Sequence, residues 1–233
     1  MDTNLEIIEQ QKHLDDKVYR LDAQVMLPYY DQDGITIYNA DCLTAMRALR
    51  PVDAIVTDPP YGVNLEYDLY DDTMDNWKAM MIKFVPLAMA RARVVLFPSG
   101  KYEGEKFLFI NYPPNWRLCW YKGSTSNISA VGFNDWEMIF VYGEKICFNA
   151  HDYFYAQPER KGMYGHPCPK PLDYSMWLIS KFTKEGDTVL DPFMGSGTTM
   201  IAARKLGRKA VGIELSQKYC DIAIKRLAQM EMF

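Results

Sequence analysis

The stretch Val189-Leu190-Asp191-Pro192-Phe193-Met194-Gly195-Ser196-Gly197-Thr198-Thr199 decides the fold. A short apolar run ends on a carboxylate, passes through two closely spaced glycines and opens into Met200-Ile201-Ala202-Ala203. That reads as a strand at Thr188–Asp191, a tight turn and a helix at about Thr198–Leu206. Glycines there let the backbone approach a ligand that a Cβ would push away. A phosphate-cradling P-loop does not fit, because Thr198-Thr199 follow Gly197 and the P-loop lysine is missing. Asp191 instead suits a ligand ammonium group. Downstream, Ala210–Ile213 is a second predicted strand, and Glu214 ends it, 23 residues after Asp191. A carboxylate in that place is set to bind ribose hydroxyls. Together, Asp191, the glycine turn and Glu214 read as a site for an adenosine-containing ligand that carries an amino group.

Further out the same alternation holds. A helix is predicted at about Tyr174–Lys184 and a last one at Ser216–Met230. In the N-terminal half, Ile35–Tyr38 is a strand, and Leu43, Met46 and Leu49 mark a short helix behind Asp41. Ala54-Ile55-Val56-Thr57 is nearly all apolar, as parallel strands buried on both faces are. A helix from about Asp75 is expected to break near Pro86, and Val94–Phe97 is another buried strand. Strand and helix in alternation predict an α/β fold with a doubly wound, mostly parallel sheet. Ligands of such sheets sit beyond the carboxyl ends of the strands. Asp41, Asp58, Asp191 and Glu214 all fall there, which is more acid on one rim than solubility explains.

The second informative stretch is Asp58-Pro59-Pro60-Tyr61. Two prolines remove two amide donors and stiffen the backbone. The Asp58 carboxylate and the Pro59 carbonyl then form a rigid pair of acceptors, and Tyr61 adds a flat ring. The arrangement suits a planar heterocycle with an exocyclic amino group.

Composition narrows the class. At 48% hydrophobic and 24% charged, the 233 residues can bury a core, so a disordered chain is excluded. No apolar run approaches the roughly 18 residues of a membrane span, and the polar Met1-Asp2-Thr3-Asn4 is not a signal-peptide start. Five scattered cysteines and three histidines make neither a disulfide scaffold nor a metal site, and a reducing cytosol is expected. The net charge of −4 divides into −11 over residues 1–75 and +7 over 76–233, so a nucleic-acid partner is compatible with it. The chain is expected to be a single domain over 1–233. It opens with a helix at about 3–26, capped by Thr3-x-x-Glu6 and striped by Ile7, Leu14, Val18, Leu21 and Val25. Residues 99–165 hold 16 of the 32 aromatics, with strand-like runs at Trp116–Tyr121 and Trp136–Tyr142.

Asp58-Pro59-Pro60-Tyr61 resembles the catalytic motif of the DNA amino-methyltransferases, which methylate adenine N6 or cytosine N4. Asp191–Thr199 is similar to their S-adenosylmethionine motif, and His166-Pro167-Cys168-Pro169-Lys170-Pro171 to the segment before it. The catalytic motif precedes the cofactor motif by 133 residues, which matches the β class of this circularly permuted family. Asn39-Ala40-Asp41-Cys42-Leu43 also fits. The resemblance implies a Rossmann-like, seven-stranded sheet with one antiparallel strand. It implies S-adenosylmethionine as cofactor and DNA as partner. Asp58, Pro59, Pro60 and Tyr61 would be catalytic. Asp191, Phe193 and the turn Gly195, Ser196, Gly197 and Thr198 would hold the cofactor's methionine part. Glu214 would take the ribose, Asp41 the adenine, and Lys170 would line the methionine end. The expected reaction is direct transfer to adenine N6 of a flipped base, because aspartate in the first motif position goes mostly with adenine. Cytosine N4 is the alternative, and an RNA or protein amino group a more distant one. Cys168 is not expected to be a nucleophile, since an amino nitrogen needs no covalent help. The expected setting is the cytoplasm of a prokaryotic cell, or of the bacterial host of a phage that encodes the protein. Only residues 145–165 remain for target recognition, with Arg160-Lys161 and Tyr153-Phe154-Tyr155 as candidate contacts. So short a reader suggests a short or relaxed recognition sequence, or help from a second copy or partner subunit.

Overall fold

The computed structural model describes residues 26–123, 128–129, 132–143, 151–160, 162 and 169–229. The expected N-terminal helix, Met26 apart, and His166, Pro167 and Cys168 lie outside the described residues. In chain order the elements are β1 (Tyr30–Gln32), β2 (Ile35–Asn39), α1 (Cys42–Ala48), β3 (Val52–Val56), α2 (Met74–Arg91), β4 (Ala92–Pro98) and α3 (Tyr102–Asn111). There follow β5 (Trp116–Tyr121), β6 (Ile128–Ser129), β7 (Gly132–Phe133), β8 (Trp136–Gly143) and β9 (Tyr153–Tyr155). The C-terminal part carries α4 (Leu172–Phe182), β10 (Thr188–Asp191), α5 (Thr198–Lys205), β11 (Lys209–Glu214) and α6 (Gln217–Gln229).

The main sheet runs β1-β2-β11-β10-β3-β4-β8-β5-β9. Strands β2, β11, β10, β3 and β4 are parallel, and β8 runs against both β4 and β5. The seven expected strands, one of them reversed, form its centre. Edge strand β1 adds a hairpin through Asp33-Gly34, both at positive φ as a two-residue turn of this hand requires. Edge strand β9 pairs parallel with β5, and β6 and β7 make a separate hairpin.

Both faces are covered. Ala54, Val56, Val94, Leu96 and Val189 pack with Leu178 and Ile179 of α4, Met200 of α5 and Ala223 and Leu227 of α6. The alternate residues Ile55, Val95, Phe97 and Leu190 pack with Met46 of α1, Phe84 and Met81 of α2 and Leu108 of α3. Period-two alternation thus serves two cores at once, which is why the strands read as continuous apolar runs. The structure departs from expectation at Pro86, which lies inside an unbroken α2. Proline cannot bond the carbonyl four residues back, here that of Ile82. The Tyr112 hydroxyl donates to that carbonyl instead, at 3.3 Å, and Pro86 itself is exposed. Helix α3 was not expected in the aromatic stretch at all.

Candidate functional site

The carboxyl ends of β2, β11, β10 and β3 lie side by side, because these strands are parallel neighbours. They bring Asp41, Glu214, Asp191 and Asp58 to one edge of the sheet, as the sequence predicts.

Asp191 is 3% exposed. Its Oδ1 accepts from the Thr57 hydroxyl at 2.6 Å and from the Phe193 N–H at 3.1 Å. Burial pushes its carboxyl up to about 6, against the pull of the Thr199 and Thr57 hydroxyls and the Phe193 amide. Among the described residues no cationic side chain forms an ion pair with it. A buried carboxylate without a counter-charge fits a ligand ammonium. At Gly197, φ is +82°, and a Cβ would lie 2.6 Å from that of Ala223, so α6 packs against the bare turn. Ser196 and Thr198, expected at the cofactor, turn their hydroxyls to Arg226 of α6, at 3.0 and 3.2 Å. Arg226 also bonds the Ser196 carbonyl at 2.7 Å and so braces the turn from behind. The Phe193 ring packs edge-on against Phe84, in the core on the α2 side.

Glu214 uses both oxygens on backbone. Oε2 accepts from the Gly195 N–H at 2.9 Å and Oε1 from the Ser216 N–H at 2.8 Å. Burial raises its proton affinity, and Asp68 adds to that. Asp41 caps α1, accepting from the Thr44 N–H at 2.9 Å and the Thr44 hydroxyl at 2.8 Å. The Ala40 N–H donates to the Glu214 carbonyl at 3.1 Å, which ties the Asp41 turn to the end of β11.

At the end of β3, the Tyr61 hydroxyl donates to Asp58 Oδ1 at 2.6 Å. The Lys170 ammonium lies 3.2 Å from the same oxygen and donates to the Tyr61 oxygen at 2.9 Å. Burial, then the charges of Asp58 and Glu137, push the Tyr61 phenol well up, so it stays a neutral donor. Lys170, expected beside the cofactor's methionine end, therefore reaches the Asp58-Tyr61 motif. The loop that follows is clamped by buried Asp72, which accepts from Gly62 N–H at 2.7 Å and from Val63 and Leu65 N–H, each at 3.1 Å. Asp68 of this loop lies 3.4 Å from the Ser216 hydroxyl, so the loop spans from the motif to the Glu214 turn. Sequence reasoning missed Asp72 and Arg226. Neither sits in a motif: Asp72 is held by backbone amides 7 to 10 residues before it, and Arg226 by a carbonyl and two hydroxyls about 30 residues before it.

Of the expected recognition segment, the described part carries β9. Phe154 turns inward and stacks on Trp177 at 5.1 Å, while Tyr153, Tyr155 and Arg160 are exposed. Among the described residues no helix is long and apolar enough to cross a membrane.

The comparisons with known proteins agree on one group. A family model described as DNA methylase matches residues 134–225. The Type II methyltransferase M2.LlaDCHI of Lactococcus lactis subsp. cremoris is 28% identical, over 86% of this chain and 91% of its own. Among solved structures, the M1.HpyAVI-SAM complex is 27% identical with a TM-score of 0.63, covering 83% of this chain and 98% of that one. The PvuII DNA methyltransferase, cytosine-N4-specific by its description, shares the fold at a TM-score of 0.67 and 16% identity, over 85% of this chain and 88% of its own.

Proposed function

We propose that this chain, which is similar over most of its length to DNA methyltransferases, is a DNA amino-methyltransferase that methylates adenine N6 with S-adenosylmethionine as methyl donor. One observation carries the reading. The Thr57 hydroxyl, next in the chain to Asp58, bonds Asp191 at 2.6 Å, so the catalytic and cofactor motifs meet although 133 residues separate them.

S-adenosylmethionine supplies an electrophilic sulfonium methyl. Asp191 would hold its ammonium, supported by the unpaired buried carboxylate. Glu214 and Asp41 would face its ribose and adenine, and Phe193 with the turn Gly195, Ser196, Gly197 and Thr198 would shape the wall. In this assignment the Ser196 and Thr198 hydroxyls serve Arg226, and the backbone of the turn meets the ligand. On the substrate side, Asp58 and the Pro59 carbonyl would accept the two hydrogens of the amino group. An adenine amino lone pair is delocalised into its ring. Two acceptors favour a pyramidal nitrogen and localise that pair, an interaction that strengthens towards the transition state. Tyr61 would stack on the base once it has left the duplex, and Pro60 keeps the turn stiff. The segment 145–165 would touch DNA through Arg160 or the exposed tyrosines of β9. We read residues 1–233 as one functional unit.

Nucleosides from DNA incubated with the protein and labelled S-adenosylmethionine are expected to contain N6-methyladenine by mass analysis. N4-methylcytosine alone would move the assignment to the other branch of the family.

Cofactor binding should also depend on pH. The ammonium needs Asp191 ionised, and its carboxyl is pushed up to about 6 in the folded chain. Affinity is therefore full above that pH and falls as pH drops through it, by about tenfold at one unit below. Titration calorimetry between pH 5 and 8 reads this directly. In Asp191→Asn the slope should flatten, and a slope that persists there would assign the titration to another group.

A further inference from the structure

We propose that Glu137, anchored by Lys122, is a positioning residue that holds the Lys170 ammonium on one oxygen of Asp58 and so keeps the other open for the substrate amino group. The proposal rests on reading Asp58-Tyr61 as the methyl-transfer motif.

Lys122 follows β5 directly, and Glu137 is the second residue of β8, opposite Trp120 in the ladder. The Lys122 side chain is 4% exposed, a state lysine rarely reaches unless paired. Its ammonium lies 3.2 Å from Glu137 Oε1. Glu137 Oε2 is buried and carries no hydrogen bond among the described residues, with the Lys170 ammonium 3.7 Å away. Lys170 in turn meets Asp58 Oδ1 at 3.2 Å and the Tyr61 hydroxyl at 2.9 Å. The four charges alternate from contact to contact, Asp58, Lys170, Glu137, Lys122, and sum to zero. Burial pushes the Glu137 carboxyl up, but Lys170 and Lys122 outweigh it and hold the group below its ordinary value. Glu137 is thus an anion in the folded protein. Rings complete the seat: Lys170 lies 5.1 Å from the centre of Tyr61 and 5.4 Å from that of Trp120.

The consequence lies in which oxygen is used. Tyr61 and Lys170 both act on Asp58 Oδ1. Among the described residues Oδ2 has no recorded partner, so it is the acceptor left for the base. A lysine ammonium has three donors on a flexible stem. Without the pull of Glu137, that ammonium can swing onto Oδ2 and occupy the acceptor. A buried ion network of this kind adds little stability, and its value is a fixed arrangement.

A merely structural role for Glu137 would be to neutralise buried Lys122. The full-length variants Glu137→Gln and Lys122→Met/Glu137→Gln separate the two. In the single variant, kcat with DNA is expected to fall about 10- to 100-fold, the cost of a small misplacement at the reacting centre, with the S-adenosylmethionine Kd within about twofold. In the double variant no buried cation is left without a partner at that place. The melting temperature lost in the single variant should return, while kcat stays low. Recovery of kcat together with stability overturns the proposal, as does a wild-type kcat in the single variant. A readout free of activity stands beside it: proton–nitrogen spectra of the lysine ammonium groups in the protein without ligands. The Lys170 ammonium signal should be protected from solvent exchange in the wild type and lost or shifted in the double variant. An unchanged signal overturns the proposal. If the wild-type protein transfers no methyl group, the reading of the motif fails while the spectra still decide whether Glu137 holds Lys170.

Discussion

Replacing Asp58 by alanine is expected to abolish methyl transfer and leave S-adenosylmethionine affinity within about twofold. The carboxylate stands at the end of β3, while the groups assigned to the cofactor belong to the ends of β2, β10 and β11 and the turns after them. Removing one preorganised partner of a reacting group costs at least about 10²–10³ in kcat, and here the acceptor of the nucleophile itself is lost. Folding should survive, because Lys170 keeps Glu137 as a counter-charge at 3.7 Å. Calorimetry with cofactor, run beside an activity assay, reads both quantities. Full turnover in the variant would remove Asp58 from the chemistry, and loss of cofactor binding would place it in the wrong half of the site.

Asp191→Ala should act the other way round, through the cofactor first. The ligand ammonium would lose its counter-charge, and the Thr57 hydroxyl and Phe193 N–H would lose a buried acceptor. A buried donor left unsatisfied costs about 1–3 kcal/mol, so Kd should rise roughly 5- to 150-fold. Because Thr57 adjoins Asp58, kcat should drop as well. Asp191→Asn keeps an acceptor oxygen and should weaken binding less. An unchanged dissociation constant in the alanine variant, with its melting curve confirming the fold, would mean that the pocket lies elsewhere.

The parallel centre of the sheet was legible because each strand there is buried on two faces and must be apolar throughout. The rim was legible because carboxylates after such runs have no packing reason to be there. What escaped was held by contacts far along the chain. Pro86 carries a local signal to stop, yet α2 runs on, and the carbonyl it cannot bond is taken up by the Tyr112 hydroxyl, just past the end of α3. Strand β9 is three residues long and gains its place only by pairing with β5. The Asp33-Gly34 hairpin is the exception, since its turn signature is local to the strand that follows. Within the site, the residue types and their edge of the sheet were readable, but the partners of each oxygen were not. The chain position of Lys170 points to its neighbours in the His166–Pro171 segment, whereas its ammonium answers to Asp58, Tyr61 and Glu137 from two other segments.

The order of strands in the sheet bears on how the chain can assemble. The strands made early, β2 and β3, are not neighbours; β11 and β10, made more than a hundred residues later, fill the two lanes between them. Until the C-terminal segment arrives, each early strand presents an open apolar edge at what becomes the middle of the sheet. The two motifs then meet only on the last insertion, so cofactor affinity is a property of the finished sheet and of neither half. Such interleaving makes folding slow and non-local, and it leaves the incomplete chain open to wrong edge pairing during synthesis.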